Sequence, residues 1–85
     1  MSYTINWELA RKDLCQLEKQ IAQRIIKKVG SLVEDPFHFV EHLEGYPLWK
    51  IRIGDYRAIL DIKQKEAEIV VLLVDHRKRI YTRLD

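Results

Sequence analysis

Two alternating stretches joined by Gly54-Asp55 constrain the fold of this chain more than any other feature. Residues 49–57 read Trp49-Lys50-Ile51-Arg52-Ile53-Gly54-Asp55-Tyr56-Arg57, and a two-residue Gly-Asp turn between alternating stretches is typical of a β-hairpin. With Ile53 opposite Tyr56, the register pairs Arg52 with Arg57, Ile51 with Ala58, Lys50 with Ile59 and Trp49 with Leu60. One face of the hairpin is therefore apolar and the other is cationic.

The cationic face carries Lys50, Arg52 and Arg57. Like charges directly opposite each other destabilise a sheet by roughly 0.2–1 kcal/mol. The basic excess also lies in the second half of the chain, since residues 1–48 have six Lys/Arg and seven Asp/Glu whereas residues 49–85 have nine and six. Both features predict an anionic partner for this face.

Length and composition indicate a globular chain, which we interpret as a single domain over residues 1–85. It is 47% hydrophobic and 33% charged, which is too apolar for a disordered chain. We find no membrane span and no secretory signal, so we expect a cytoplasmic protein without a membrane partner. Cys15 is alone, which excludes an internal disulfide and a cysteine-rich zinc site, and we interpret it as a small core residue on a helix.

The first half of the chain predicts a short strand followed by a two-helix hairpin. Tyr3-Thr4-Ile5 is β-prone, and Asn6 suits the N-cap of a helix. Apolar residues then recur at helical spacing, first at Trp7, Ala10, Leu14 and Leu17, and then at Ile21, Ile25, Val29 and Leu32. Asp35-Pro36 ends the second helix, inside which Gly30 is unfavourable. Residues 37–48 predict a connecting loop.

The second half predicts an antiparallel β-meander of three strands. The hairpin fills residues 48–63, and the unbroken apolar run at residues 69–74 is typical of a strand covered on both faces, which we expect at the centre of the sheet. The fold class is therefore α+β, with the helices on one face of a largely antiparallel sheet. We expect the opposite, cationic face to be partly open.

A second basic cluster follows the last predicted strand. It reads Asp75-His76-Arg77-Lys78-Arg79-Ile80-Tyr81-Thr82-Arg83. In an antiparallel meander the strand of residues 68–75 ends beside the Gly54-Asp55 turn, so the two clusters are predicted to meet in one cleft. A diffuse basic surface with salt-dependent affinity for nucleic acid such as RNA is predicted for Lys78, Arg79 and Arg83, together with Arg24, Lys27 and Lys28 of the second predicted helix.

These residues resemble the RelE/ParE toxin superfamily. The resemblance rests on Leu43-Glu44-Gly45, on residues 49–59 and on His76-Arg77-Lys78-Arg79-Ile80-Tyr81, and it spans nearly the whole chain. It implies a RelE-like fold and a toxin of a type II toxin–antitoxin system. RelE-type members cut messenger RNA in the ribosomal decoding site and are neutralised by a small antitoxin, whereas ParE-type members poison DNA gyrase.

The resemblance also implies roles for single residues. Lys50 and Arg52 match the paired basic residues of the RelE catalytic strand, Arg57 a phosphate-facing arginine, Arg77 the arginine after the last core strand, and Tyr81 the tyrosine near the C-terminus. Related branches use a C-terminal histidine in proton transfer, which makes His76 a further catalytic candidate.

Cleavage of RNA through its own 2′-hydroxyl needs a base, cations around the phosphorane and an acid for the departing 5′-oxygen. Arg57 and Arg77 suit the second task because a guanidinium offers paired donors to phosphate oxygens. Lys50 is a candidate base or electrostatic aid, and Tyr81 a candidate proton donor or stacking platform. The ordinary alternatives are solvated or antitoxin-binding surface charges for the arginines and packing of an aromatic ring on the sheet edge for Tyr81. No metal or other cofactor is needed.

Two functions stay open at this stage. One is a ribosome-dependent endoribonuclease whose partners are the ribosome, messenger RNA and a RelB-like antitoxin; the other is a ParE-like inhibitor of DNA gyrase, or an inactive relative that only binds its antitoxin. The nuclease is favoured because a gyrase inhibitor does not need Lys50, Arg52, Arg57, Arg77 and Tyr81 together. Phe37 and Phe39 are candidates for an exposed partner groove.

Overall fold

The computed structural model describes residues 2–84, which form a five-stranded sheet and three α-helices. The strands are β1 (Thr4–Asn6), β2 (Val40–His42), β3 (Trp49–Ile53), β4 (Tyr56–Lys63) and β5 (Glu68–His76). The helices are α1 (Arg11–Cys15), α2 (Lys19–Gly30) and α3 (Arg77–Arg83), and a 3-10 turn at Glu8–Ala10 precedes α1. The α+β class is confirmed.

β3 and β4 form the predicted hairpin in the predicted register, with Ile53 paired to Tyr56 and Arg52 paired to Arg57. Gly54 has a φ of +58°, a left-handed conformation that favours glycine. A Cβ added at Gly54 would also lie 3.3 Å from Nη2 of Arg24. The turn therefore needs glycine for its backbone conformation, whereas the end of the flexible Arg24 side chain needs to shift by only a few tenths of an ångström to admit a Cβ.

The sheet is mixed, and its strand order is β1-β5-β4-β3-β2. The prediction that residues 69–74 form the central strand is wrong, because they lie in β5 and β4 holds the centre. Residues 37–48, predicted as a loop, contain β2. This strand pairs antiparallel with β3 and adds an edge strand to the sheet on that side. At the other edge β1 pairs in parallel with β5.

The first predicted helix is shorter than its apolar spacing indicates. It consists of the 3-10 turn and the five-residue α1. Asn6 lies in β1, and its side-chain oxygen accepts a hydrogen bond from the backbone N–H of Glu8 at 3.0 Å, as a capping residue does. α2 ends at Gly30, so this glycine terminates the helix instead of interrupting it.

The sheet carries packed residues on both faces. On the first face α2 contributes Ile25 and Val29 to a cluster that includes Ile51 and Leu60. On the second face Ile59 packs with Leu43 and with Ile80 of α3, all three of them buried. The cationic face is therefore partly covered, because residues 77–83, which sequence reasoning left without structure, fold into a helix.

Cys15 is exposed, so its interpretation as a core residue is wrong. Its helix has only five residues, and the half-buried ones are Asp13 and Leu14 instead. Within residues 2–84 no helix combines the length and the apolar character that a membrane crossing requires.

Candidate functional site

The candidate site lies on the second face of the sheet, where β3 faces α3. Nζ of Lys50 donates a hydrogen bond to the hydroxyl of Tyr81 at 3.2 Å. The Lys50 side chain is 22% exposed and Tyr81 is 42% exposed, so solvent reaches this pair. A lysine ammonium has only donors, so the phenol oxygen accepts here and its own proton remains for another acceptor.

Glu41 on β2 is a site residue that sequence reasoning missed. It is the register partner of Lys50. Its carboxylate oxygens lie 3.9 Å from Nζ of Lys50 and 3.9 Å from Nη1 of Arg52. The alternation in residues 40–42 was the available signal, because a strand there aligns Glu41 with the cationic face. A carboxylate thus stands between two cations of the predicted all-basic face.

Arg57 lies on the predicted strand opposite Arg52, but its guanidinium turns back to the hairpin. Nη1 of Arg57 donates to the carbonyl oxygens of Gly54 at 2.9 Å and of Tyr56 at 2.8 Å. Only 6% of the residue is exposed. These bonds satisfy turn carbonyls, so the structure gives Arg57 a contact with the turn.

His76 ends β5 and Arg77 begins α3, beside the hairpin turn as predicted. The backbone N–H of Arg77 donates to the carbonyl of Asp55 at 2.8 Å, and Nε of Arg77 lies 3.8 Å from the Asp55 carboxylate. His76 is the N-cap of α3, and its Nδ1 accepts from the N–H of Lys78 at 3.2 Å. The His76 ring packs edge-on against Tyr56, with centroids 5.4 Å apart.

The three predicted RNA-contacting residues differ in their surroundings. Lys78 is exposed. Nε of Arg79, whose side chain is 76% exposed, lies 3.9 Å from Asp75. Nη1 of Arg83 lies 3.1 Å from both the Asp13 and the Asp75 carboxylates, which are largely buried. Arg83 is therefore part of an ion-pair cluster and not a free surface cation.

The ion-pair cluster of Asp13, Asp75 and Arg83 fixes α3 against the rest of the molecule. Asp13 also accepts a hydrogen bond from the N–H of Val74 at 3.0 Å, on a stretch of β5 that β1 is too short to pair. The hydrogen bond to Asp13 raises the pKa of Arg83 above its ordinary value, although burial opposes this. The far end of α3 thus stays in the position that brings Tyr81 to Lys50.

The structure divides the predicted catalytic residues into two groups. Lys50, Arg52 and Tyr81 share one polar face through Glu41 and the lysine–phenol hydrogen bond, while Arg57, His76 and Arg77 surround the hairpin turn. The first group offers a carboxylate, two cations and a phenol within one surface. Those groups can accept a proton, stabilise an anion and donate a proton.

Comparison with known proteins places this chain in a family. A family model described as the ParE toxin of the type II toxin–antitoxin system parDE matches residues 7–81. Toxin RelG of Mycobacterium tuberculosis is 32% identical over 87 residues, covering 98% of this chain and 100% of that protein.

Solved structures agree with that placement. The toxin–antitoxin complex RelBE2 of M. tuberculosis matches with a TM-score of 0.79 at 28% identity, covering 91% of this chain and 100% of the matched one. The RelE–RelB complex of Pyrococcus horikoshii matches with a TM-score of 0.71 at 31% identity, covering 93% and 99%. A mutant of Escherichia coli RelE in the free state shares the fold, with a TM-score of 0.82 at 22% identity over 99% and 93%. The chain therefore belongs to the RelE/ParE superfamily of type II toxin–antitoxin toxins.

Proposed function

We propose that this chain is a ribosome-dependent endoribonuclease, which cuts translated messenger RNA through the RNA's own 2′-hydroxyl without a metal. The hydrogen bond between Lys50 and Tyr81, on a face that solvent reaches, is the observation that carries the proposal. This bond brings together the Lys50 ammonium, which can stabilise the phosphate, and the Tyr81 phenol, which can donate its proton to the leaving group.

In the proposed reaction Glu41 takes the proton of the 2′-hydroxyl, and that oxygen attacks the adjacent phosphorus. Lys50 and Arg52 stabilise the negative charge that builds on the phosphorane. The bond from phosphorus to the 5′-oxygen then breaks, and Tyr81 gives its proton to that oxygen. The products are a 2′,3′-cyclic phosphate and a 5′-hydroxyl.

This assignment gives Lys50 the electrostatic role and transfers the role of base to Glu41. Nζ of Lys50 already donates to Tyr81, whereas the Glu41 carboxylate is an acceptor at the same face. We assign Arg77, whose side chain is 54% exposed, to a neighbouring phosphate beside the hairpin turn. Arg57 holds the turn, and His76 begins α3.

We also propose that a RelB-like antitoxin neutralises the chain. The matched structures from M. tuberculosis and P. horikoshii are complexes of a toxin with its antitoxin, and both relatives are covered almost completely. Exposed apolar surface, as at Leu9 and Phe37, suits a partner segment that wraps the domain.

The test is expression of the full chain from an inducible promoter, followed by mapping of messenger RNA ends by primer extension. We expect new ends within translated codons, and about 100-fold slower cleavage for Tyr81→Phe and Glu41→Gln because each removes a proton-transfer group. Lys63→Gln, an exposed change at the far end of β4, is the control and should cut like the parent.

A different result would overturn this function. DNA damage that depends on gyrase, without new messenger RNA ends, would instead identify the alternative function, a ParE-like inhibitor of DNA gyrase. Full cleavage by both Tyr81→Phe and Glu41→Gln would refute the assigned site even in an active nuclease.

A further inference from the structure

A cationic groove lies beside the candidate site, between α2 and the end of β3. Its volume is about 460 Å³, within the range of about 300–1,000 Å³ that is usual for ligand sites. The lining residues are Arg24, Lys27, Lys28, Ser31, Phe39, Arg52, Ile53 and Gly54. We call this feature the α2 groove.

The basic side chains of the α2 groove come from both walls. Arg24, Lys27 and Lys28 occupy positions i, i+3 and i+4 of α2 and so share one face of the helix. Arg52 of β3 faces them across the groove. No Asp or Glu lines the groove, and within residues 2–84 no carboxylate lies within 4.0 Å of the three α2 cations. This concentration of uncompensated positive charge favours an anionic ligand.

The groove also presents an aromatic ring. Phe39 is 45% exposed, and its ring packs at 84° against His38, with centroids 4.2 Å apart. Nζ of Lys28 lies over one face of the Phe39 ring, 4.0 Å from its centroid, so a base would stack on the other face or replace Lys28. Cations that follow a phosphate backbone, together with an aromatic ring on which a base stacks, are the two components of single-stranded nucleic acid binding. An acidic ligand without planar bases would bind the cations but would make no stacking contact with the ring.

Arg52 connects the α2 groove to the candidate site. It lines the groove, and its Nη1 lies 3.9 Å from Glu41, whose carboxylate lies 3.9 Å from Nζ of Lys50. A strand whose reacting phosphate lies at Lys50 and Arg52 can therefore continue past Arg52 towards α2. The groove and the site thus share Arg52, although α2 packs on the first face of the sheet and Lys50 lies on the second.

We propose that the α2 groove binds single-stranded RNA on one side of the cleaved bond, with phosphates at Arg24, Lys27 and Lys28 and a base on Phe39. The proposal rests on the proposed nuclease function. It extends the RNA contact beyond the reacting residues to a flanking nucleotide. It also gives a function to the basic face of α2, which packing of the core does not explain.

The test measures binding of the full chain to a fluorescein-labelled 2′-O-methyl oligoribonucleotide of twelve residues, which lacks the attacking hydroxyl. Fluorescence anisotropy at increasing salt gives both the affinity and its salt slope. We expect the double variant Lys27→Gln/Lys28→Gln to bind about tenfold more weakly. Its salt slope should fall by about 1.4, because two contacts to single-stranded phosphates are lost. Phe39→Ala should weaken binding by about fivefold or more.

The matched control is Lys19→Gln/Lys65→Gln, which removes the same charge from two exposed lysines outside the groove. Circular dichroism should show that all variants are folded. An equal loss of affinity for the groove and control variants would overturn the proposal, since it would reflect net charge alone. Normal RNA binding by the groove variants, with weaker binding of the antitoxin, would overturn it in favour of a protein-docking surface.

The two proposals fail separately. A chain that cuts messenger RNA while its groove variants bind the oligonucleotide normally refutes the α2 groove alone. A chain that makes no new messenger RNA ends refutes the nuclease function, whereas the oligonucleotide titration still reports on the groove because it needs no cleavage.

Discussion

At the scale of single residues, Arg57 contributes to the stability of the fold, whereas Arg52 contributes to the proposed RNA cleavage. They are direct register partners, yet the Arg52 side chain is 64% exposed and Arg57 is 6% exposed. Arg57→Gln removes two hydrogen bonds to turn carbonyls, so we expect the free energy of unfolding to fall by about 2 kcal/mol. Urea unfolding measures this change. Arg52→Gln is the matched control, with an expected loss below about 0.5 kcal/mol and slower RNA cleavage.

Equal destabilisation by the two substitutions would contradict the role given to Arg57. The sequence predicted that both arginines share a face, because side chains alternate along a strand. It did not predict that one guanidinium would turn back to Gly54 and Tyr56. Alternation along a strand assigns each side chain to one face of the sheet. The burial of that side chain depends on what packs over the face, and the sequence did not predict α3.

At the scale of elements, the position of α3 depends on the ion-pair cluster of Asp13, Asp75 and Arg83. Arg83→Gln leaves two carboxylates without their shared cation, so we expect a loss of about 1 kcal/mol in stability. We also expect slower RNA cleavage, because α3 carries Tyr81. Thermal unfolding and the messenger RNA assay measure the two effects. Arg79→Gln, which removes a guanidinium 3.9 Å from Asp75, should change both much less.

The same ion-pair cluster determines how the stabilisation by Arg83 depends on pH. A group whose pKa is raised by folding stabilises the protein fully below its unfolded pKa, and this contribution is lost only as the pH rises through the folded pKa. The pKa of Arg83 is raised by its bond to Asp13, and a guanidinium stays charged up to about pH 12. The stabilisation lost in Arg83→Gln should therefore be the same at pH 6 and pH 9. A loss that disappears at pH 9 would show that another group is responsible.

The elements that sequence reasoning missed are both short. β2 has three residues, and its alternation was hidden inside a stretch that reads as a turn-rich loop. α3 begins directly after β5, with His76 as its N-cap and no intervening loop. Ile80 lies in α3 and Leu84 caps its C-terminus four residues later, but the basic run Arg77-Lys78-Arg79 before Ile80 concealed this helical spacing. Glu41 was overlooked for the same reason as β2.

At the scale of the whole molecule, the sequence predicted the layer of helices on one face but not the packing on the other. Hydrophobic periodicity defines which residues of β3 and β4 share a face. The parallel pairing of β1 with β5 and the cluster of Leu43, Ile59 and Ile80 depend on contacts between distant segments. Local patterns do not encode such contacts, so the mixed topology and the coverage of the site appeared only in the structure.

Packing on both faces of one sheet predicts that the molecule unfolds as a unit. Ile80→Ala removes a fully buried side chain from the second face, so we expect a loss of about 2–5 kcal/mol. The two tryptophans, Trp7 and Trp49, pack against the cluster on the first face. If the sheet couples the two clusters, tryptophan fluorescence and far-ultraviolet circular dichroism must report the same lowered midpoint.

The control for this experiment is Ile26→Ala, at a position 46% exposed, where we expect a change within about 0.5 kcal/mol. A fluorescence midpoint that stays at the parental value while circular dichroism shifts would mean that α3 separates from the sheet on its own. In that case Tyr81 would leave Lys50 without global unfolding, and the activity of the Ile80 variant would disappear below its melting transition. A single shared transition instead requires that the site persist until the whole chain unfolds, because the sheet that carries Lys50 also supports the helix that carries Tyr81.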